Sequence, residues 1–238
     1  MKNILFILLL SFGFSQVTLE SVMDEDVVDD ARTEITLTSV SGVVDDLIIV
    51  VIGKDDDVAI TDHADWTQLV NVTSGTGNAI YVAWRLWDTG DTGWTFTSTD
   101  GAEDWVGWLL EFSGHDTTTP IHAYDDSVNT SDAPAAPDVA YTDLEVGSRY
   151  IMGFTADDND TPYSVTGLTE IFNNNNTDTG GAGGYSGIIT GTGNVANFAM
   201  SQVASEEWAS FTVIIEGDGT YVAPEGSDDD ALFFGIEF

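Results

Sequence analysis

The chain contains no cysteine, which excludes a disulfide framework, a thiolate metal site and a cysteine nucleophile. Basic residues are nearly as scarce: Lys+Arg number 5 against 41 Asp+Glu, a formal net charge of −36. That balance excludes nucleic-acid recognition by phosphate neutralisation, which needs clustered Lys and Arg. It excludes attraction to anionic lipid surfaces for the same reason. The 3 histidines, His63, His115 and His122, are too scattered to read as a metal triad. Apolar runs are short, and Ile4 to Leu10 falls well below the roughly 20 residues of a membrane-spanning helix. No window of helical length carries an apolar stripe at 3.6 spacing, and no G-x-S-x-G elbow is present.

What is there describes a folded, exported protein. The 238 residues are 42% hydrophobic and 11% aromatic, enough to bury a core. Lys2, the run Ile4 to Leu10 and the small-x-small site Gly13-Phe14-Ser15 read as a signal peptide over 1–15, with the mature chain starting at Gln16. Segments such as LIIVVIG, AIYVAWRLW, WVGWLLEF, YIMGFT and FTVIIEG are short, rich in β-branched and aromatic residues, and bounded by Gly, Asp, Asn and Thr. They predict an all-β chain.

The order of these segments repeats. Leu47 to Asp57 matches Arg149 to Asn159 at a repeat of roughly 102 residues, with Asp55 and Asp56 falling on Asp157 and Asp158. At the same offset Trp66 to Leu69 meets Leu168 to Ile171. One added residue aligns Glu103-Asp104-Trp105 with Glu206-Glu207-Trp208. These matches predict a single jelly-roll-like β-sandwich over 33–218, built from two duplicated half-units of about five strands each, about 33–118 and 135–218. An acidic N-terminal segment, 16–32, and an acidic tail, 219–238, flank it. The tail ends in an alternating apolar stretch whose Ala231, Phe233, Phe234, Ile236 and Phe238 read as an assembly strand, pairing with its own sheet or with a neighbour. The stretch otherwise imitates the terminal-Phe signal of an outer-membrane barrel, although the other strands lack a repeated lipid-facing register.

The Trp-Thr-x-Leu turn at Trp66 to Leu69, the strand Tyr81 to Arg85, the Thr-Phe-Thr strand Thr95 to Thr97, the strand Asp104 to Glu111 and the exit Ser113 to Ile121 together resemble a family. It is that of uncharacterised duplicated β-sandwich modules of exported bacterial and phage surface proteins. The resemblance covers roughly Thr33 to Asp218 and rests on packing motifs. It implies an extracellular or virion-surface structural role and carries no catalytic residues.

Three sets of side chains are candidates for chemistry. Period-2 alternation in Ile80 to Trp87 places Val82, Trp84 and Leu86 on one face and Tyr81, Arg85 and Trp87 on the other. If the first face is core, the second presents two rings beside a guanidinium, a surface that stacks on sugars. The acidic turns Asp55, Asp56, Asp57 and Asp157, Asp158, Asp160 offer the oxygen ligands that Ca²⁺ takes, the one cofactor candidate, although neither has the spaced EF-hand pattern. No catalytic pair can be nominated: Glu111 and Glu216 lie near the ends of equivalent strands, which duplication would hold apart, as a glycosidase pair is not.

The expectation is a non-enzymatic structural subunit of an extracellular filament, cell-surface layer or virion surface. Its partners would be copies of itself or other surface proteins, with no nucleic acid and no membrane span after signal cleavage. The alternative is a glycan-binding adhesin using Tyr81, Arg85 and Trp87. The two differ in whether that face is open to solvent.

Overall fold

The computed structural model describes residues 16–38, 42–75, 77–99, 103–129, 135–142, 144, 147–156, 168–175, 181–189, 193–195 and 207–219. In chain order the strands are β1 (Thr18–Arg32), β2 (Glu34–Leu37), β3 (Leu47–Lys54), β4 (Thr67–Ser74), β5 (Asn78–Leu86), β6 (Trp94–Thr97) and β7 (Glu103–Ser113). There follow β8 (Ile121–Asn129), β9 (Val139–Tyr141), β10 (Arg149–Ala156), β11 (Thr169–Asn175), β12 (Gly181–Ile188), β13 (Gly193–Val195) and β14 (Trp208–Ile215). The described residues contain no helix, and so none long and apolar enough to cross a membrane.

Two five-stranded antiparallel sheets carry the fold, in the orders β1-β7-β3-β5-β4 and β11-β12-β10-β14-β8. They pack face to face as a β-sandwich. Alternation along β7 sends Val106, Trp108, Leu110 and Phe112 between the sheets, and β14 answers with Ala209, Phe211, Val213 and Ile215. The rings of Trp108 and Phe172 stack across the gap, 4.2 Å apart at 24°.

The outer faces are also covered. The pair β2-β6 brings Ile35, Leu37, Trp94 and Phe96 over Ile48, Val50, Ile52, Tyr81 and Leu109 of the first sheet. The pair β9-β13 lies with Val139 beside Met152, Phe154 and Ile214 of the second. This is why β3 reads as an unbroken apolar run: it is buried on both faces. Each Leu or Ile so enclosed contributes about 1.5–3 kcal/mol of burial.

The two sheets meet closely at Gly53, where a Cβ would stand 2.5 Å from Cγ2 of Thr155 on β10. A polar tie runs beside that contact. The Thr155 hydroxyl donates to Asn78 Oδ1 at 3.1 Å, and Asn78 Nδ2 donates to the Glu207 carbonyl at 2.8 Å.

Strand register recurs between the sheets. Lys54 opposes Trp105 as Ala156 opposes Trp208, and Leu47 opposes Leu86 as Arg149 opposes Ile188. Two irregularities recur as well: β4 bulges at Leu69 and β11 at Ile171, β1 at Glu20 and β8 at His122, while the two further register shifts of β1 have no match in β8. The acidic segment 16–32, expected to flank the sandwich, is largely β1, an edge strand of the first sheet. Likewise 121–129, which falls between the expected half-units, is the edge strand β8. Each sheet is drawn from one contiguous part of the chain, 18–113 or 121–215. The exchange of strands between sheets that a jelly roll makes is not seen among the described residues.

Candidate functional site

The expected sugar-stacking face is closed. Tyr81 is 0% and Trp87 6% exposed, because β5 is an interior strand whose second face lies under β6 and the turn at Asp88–Gly93. Trp94 meets Trp66 edge-on at 5.1 Å and Trp87 at 6.2 Å, and Phe96 tilts onto Tyr81 at 5.7 Å. Burial pushes the Tyr81 phenol up to about 12, with Asp62 adding to the shift. Arg85 Nη2 pairs with Asp91 at 2.9 Å while its guanidinium sits 5.1 Å from the Trp94 ring centroid. Tyr81, Arg85 and Trp87 therefore form packing, and the expectation of a ligand face there is corrected.

The first acidic turn is organised around a cation of its own. Lys54, its side chain 0% exposed, donates to Asp56 at 2.8 Å and to Ser98 Oγ at 3.1 Å, and lies 5.6 Å from the Trp105 ring centroid. Burial would raise the Asp56 carboxyl, but hydrogen bonds from Lys54 and Asp57 hold it below the usual carboxylate range. Among the described residues no group of three or more His, Asp or Glu is placed to hold a metal ion. Asp157, Asp158 and Asp160 lie outside the described residues, as do Ala231, Phe233, Phe234, Ile236 and Phe238.

One end of the sandwich gathers carboxylates, of which sequence reasoning named Glu111 alone. A cavity of about 470 Å³ is lined by Glu20, Val43, Asp46, Glu111 and Ser113. A neighbouring hollow is lined by Asp45, Asp46, His115, Asp116 and Asp218. Burial, and after it the charge of Glu111, pushes Asp46 up to about 6, with His115 opposing. Glu111 is committed to structure, its oxygens accepting from Ser21 Oγ at 2.8 Å and from the Val43 amide at 3.0 Å. His115, 4% exposed, places its two ring nitrogens against the Asp116 carbonyl at 3.0 Å and the Asp45 carbonyl at 3.1 Å. Glu216 belongs elsewhere, on His122. Asp46 was hidden in the sequence because the pair Asp45-Asp46 ahead of an apolar strand looks like any acidic strand boundary in this chain.

A second opening lies along one side. Between β4, β5 and the start of β8 runs a groove of about 330 Å³ lined by Leu69, Trp84, Pro120, Ile121, His122 and Tyr124, with Thr and Gln side chains at its rim. Trp84 is half-buried and Tyr124 is 48% exposed. Period-2 reasoning assigned Trp84 to the core face, which is right in direction. What it could not see is that the sheet edge stops short of covering the ring. No family model, curated protein or solved structure matches this chain, so its function is read from this geometry alone.

Proposed function

We propose that the chain is a secreted, non-enzymatic structural module, a subunit of an extracellular filament, surface layer or virion surface, released from its signal peptide at Gln16 and joined to its partners partly through terminal strands. The observation that carries this reading is where the aromatic residues go. Of the 7 tryptophans, Trp66, Trp87, Trp94, Trp105, Trp108 and Trp208 are buried, and covering layers close both outer sheet faces. Side chains that a sugar-binding surface would present are spent here on rigidity. The matched registers and paired bulges support a duplicated five-strand unit fused into one sandwich, in keeping with the resemblance to duplicated exported surface modules. The adhesin reading at Tyr81, Arg85 and Trp87 is not retained, because a buried face has nothing to offer a glycan.

Light scattering and mass spectrometry of the native exported protein test the reading. The expected result is a multi-subunit assembly of chains starting at Gln16, favoured by added salt, because screening relieves repulsion between chains of net charge −36. A chain that stays monomeric at all salt concentrations overturns it. Repeating the measurement with a chelator reads out any contribution from Ca²⁺.

A further inference from the structure

Resting on that reading, we infer that the groove between β4 and β8 is the receiving site for residues 231–238 of a second copy of this chain, which pair as an added strand with the open edge of β4. Among the described residues β4 pairs only with β5, and β8 only with β14, so the sandwich leaves two strand edges flanking one apolar groove. The two edges differ in how they are guarded. β8 carries Asp125 and Asp126, charges that discourage strand addition. β4, TQLVNVTS, carries none.

The candidate occupant fits in pattern, ALFFGIEF alternating apolar residues as a strand beside β4 requires. In an extended strand, alternation puts Leu232, Phe234, Ile236 and Phe238 on one face, toward Leu69, Trp84, Ile121 and Tyr124. Main-chain hydrogen bonds to β4 supply affinity, and the alternate side chains in the groove supply register.

The exit of the chain says whose segment it is. The Glu216 amide donates to the Pro120 carbonyl at 2.9 Å and Asp218 to Gly114 at 3.2 Å, so the last described residues already lie against the groove's Pro120. A segment closing its own groove from there needs only a short turn. The acidic spacer 219–230 reaches about 40 Å when extended, farther than the roughly 27 Å that β4 spans. That reach suits the groove of a neighbour.

The absence of cysteine makes the test direct. Full-length mature chains carrying only Tyr124→Cys or only Phe234→Cys are mixed and oxidised, with Thr36→Cys on the outer layer replacing Tyr124→Cys as control. The expected result is a disulfide joining the two singly substituted chains and none with the control. In the cysteine-free background, Phe234→Asp with Ile236→Asp should raise the concentration at half-assembly by about tenfold or more, tenfold in an equilibrium constant being about 1.4 kcal/mol. Assembly without the Tyr124–Phe234 cross-link overturns the groove assignment and leaves the structural-subunit reading standing. A third protein carries both Tyr124→Cys and Phe234→Cys, and a cross-link that forms only within this chain, and not between the singly substituted ones, overturns the placement in a neighbour. A wild-type chain that is monomeric and gives no cross-link overturns both.

Discussion

Asp46 sits where a carboxylate is least comfortable, half-enclosed beside Glu111 and near Glu20, and it answers by holding its proton to about pH 6 instead of its ordinary 3.8. Because the folded-state value is the higher one, the folded chain binds a proton that the unfolded chain has released between those two pH values. The stabilisation from this group is therefore complete below pH 3.8 and lost as pH rises through 6. The wild type should lose melting temperature relative to Asp46→Asn over that interval, and above pH 7 the Asn variant should be the more stable. Thermal melts of both proteins from pH 4 to 8 measure this as the difference between two curves, which cancels the titration of other carboxylates. A constant difference across the range would show that Asp46 does not carry the shift.

Among the elements, β3 and β10 meet with little room to spare at Gly53. Gly53→Ala places a methyl group 2.5 Å from Thr155 Cγ2, and overpacking of this kind costs about 1–3 kcal/mol. Thr155→Ser removes the opposing methyl and keeps the hydroxyl that bonds Asn78. In denaturant unfolding the double variant should therefore recover part of the loss, the non-additive result expected of residues in contact, and strict additivity would show that the methyl groups do not meet. The paired strands around this point were legible because β-branched runs and the repeated Asp-Asp turns survive in the letters. β1 was not, since its acidic residues mimic a solvated tail, yet an edge strand needs only one apolar face, and Met23 and Val28 lie in the cluster under β2. The face of β5 was misread for a related reason. Period-2 alternation tells which residues share a side, but only the partner β2-β6, distant in sequence from Tyr81, decides whether that side meets water. Tyr124 was missed because it lies in a strand with two Asp residues and no apolar run to draw notice.

For the whole molecule the decisive fact is that one core is shared by two sheets of separate sequence origin. Neither sheet has another surface on which to bury Leu47, Ile49, Val51, Trp108 and Phe112 or their counterparts Ile151, Phe211, Val213 and Ile215. A fragment ending near residue 118 should therefore fail to give protected amides in hydrogen exchange, while mixing it with a fragment from 119 onward should restore protection. A fragment that folds alone would mean two tandem domains instead of one sandwich.

The allotment of one sheet to each part of the chain also sets a timetable. A chain emerging from its amino end can hydrogen-bond all five strands of the first sheet once Ser113 is out, yet nothing of the second sheet exists at that moment. Until β10 and β14 arrive, a broad aliphatic and indole surface stands bare. Half-made chains held together in the crowded space where they are produced are thus the species most exposed to sticking to one another, and the rate at which the second part follows the first governs how much sound protein is obtained.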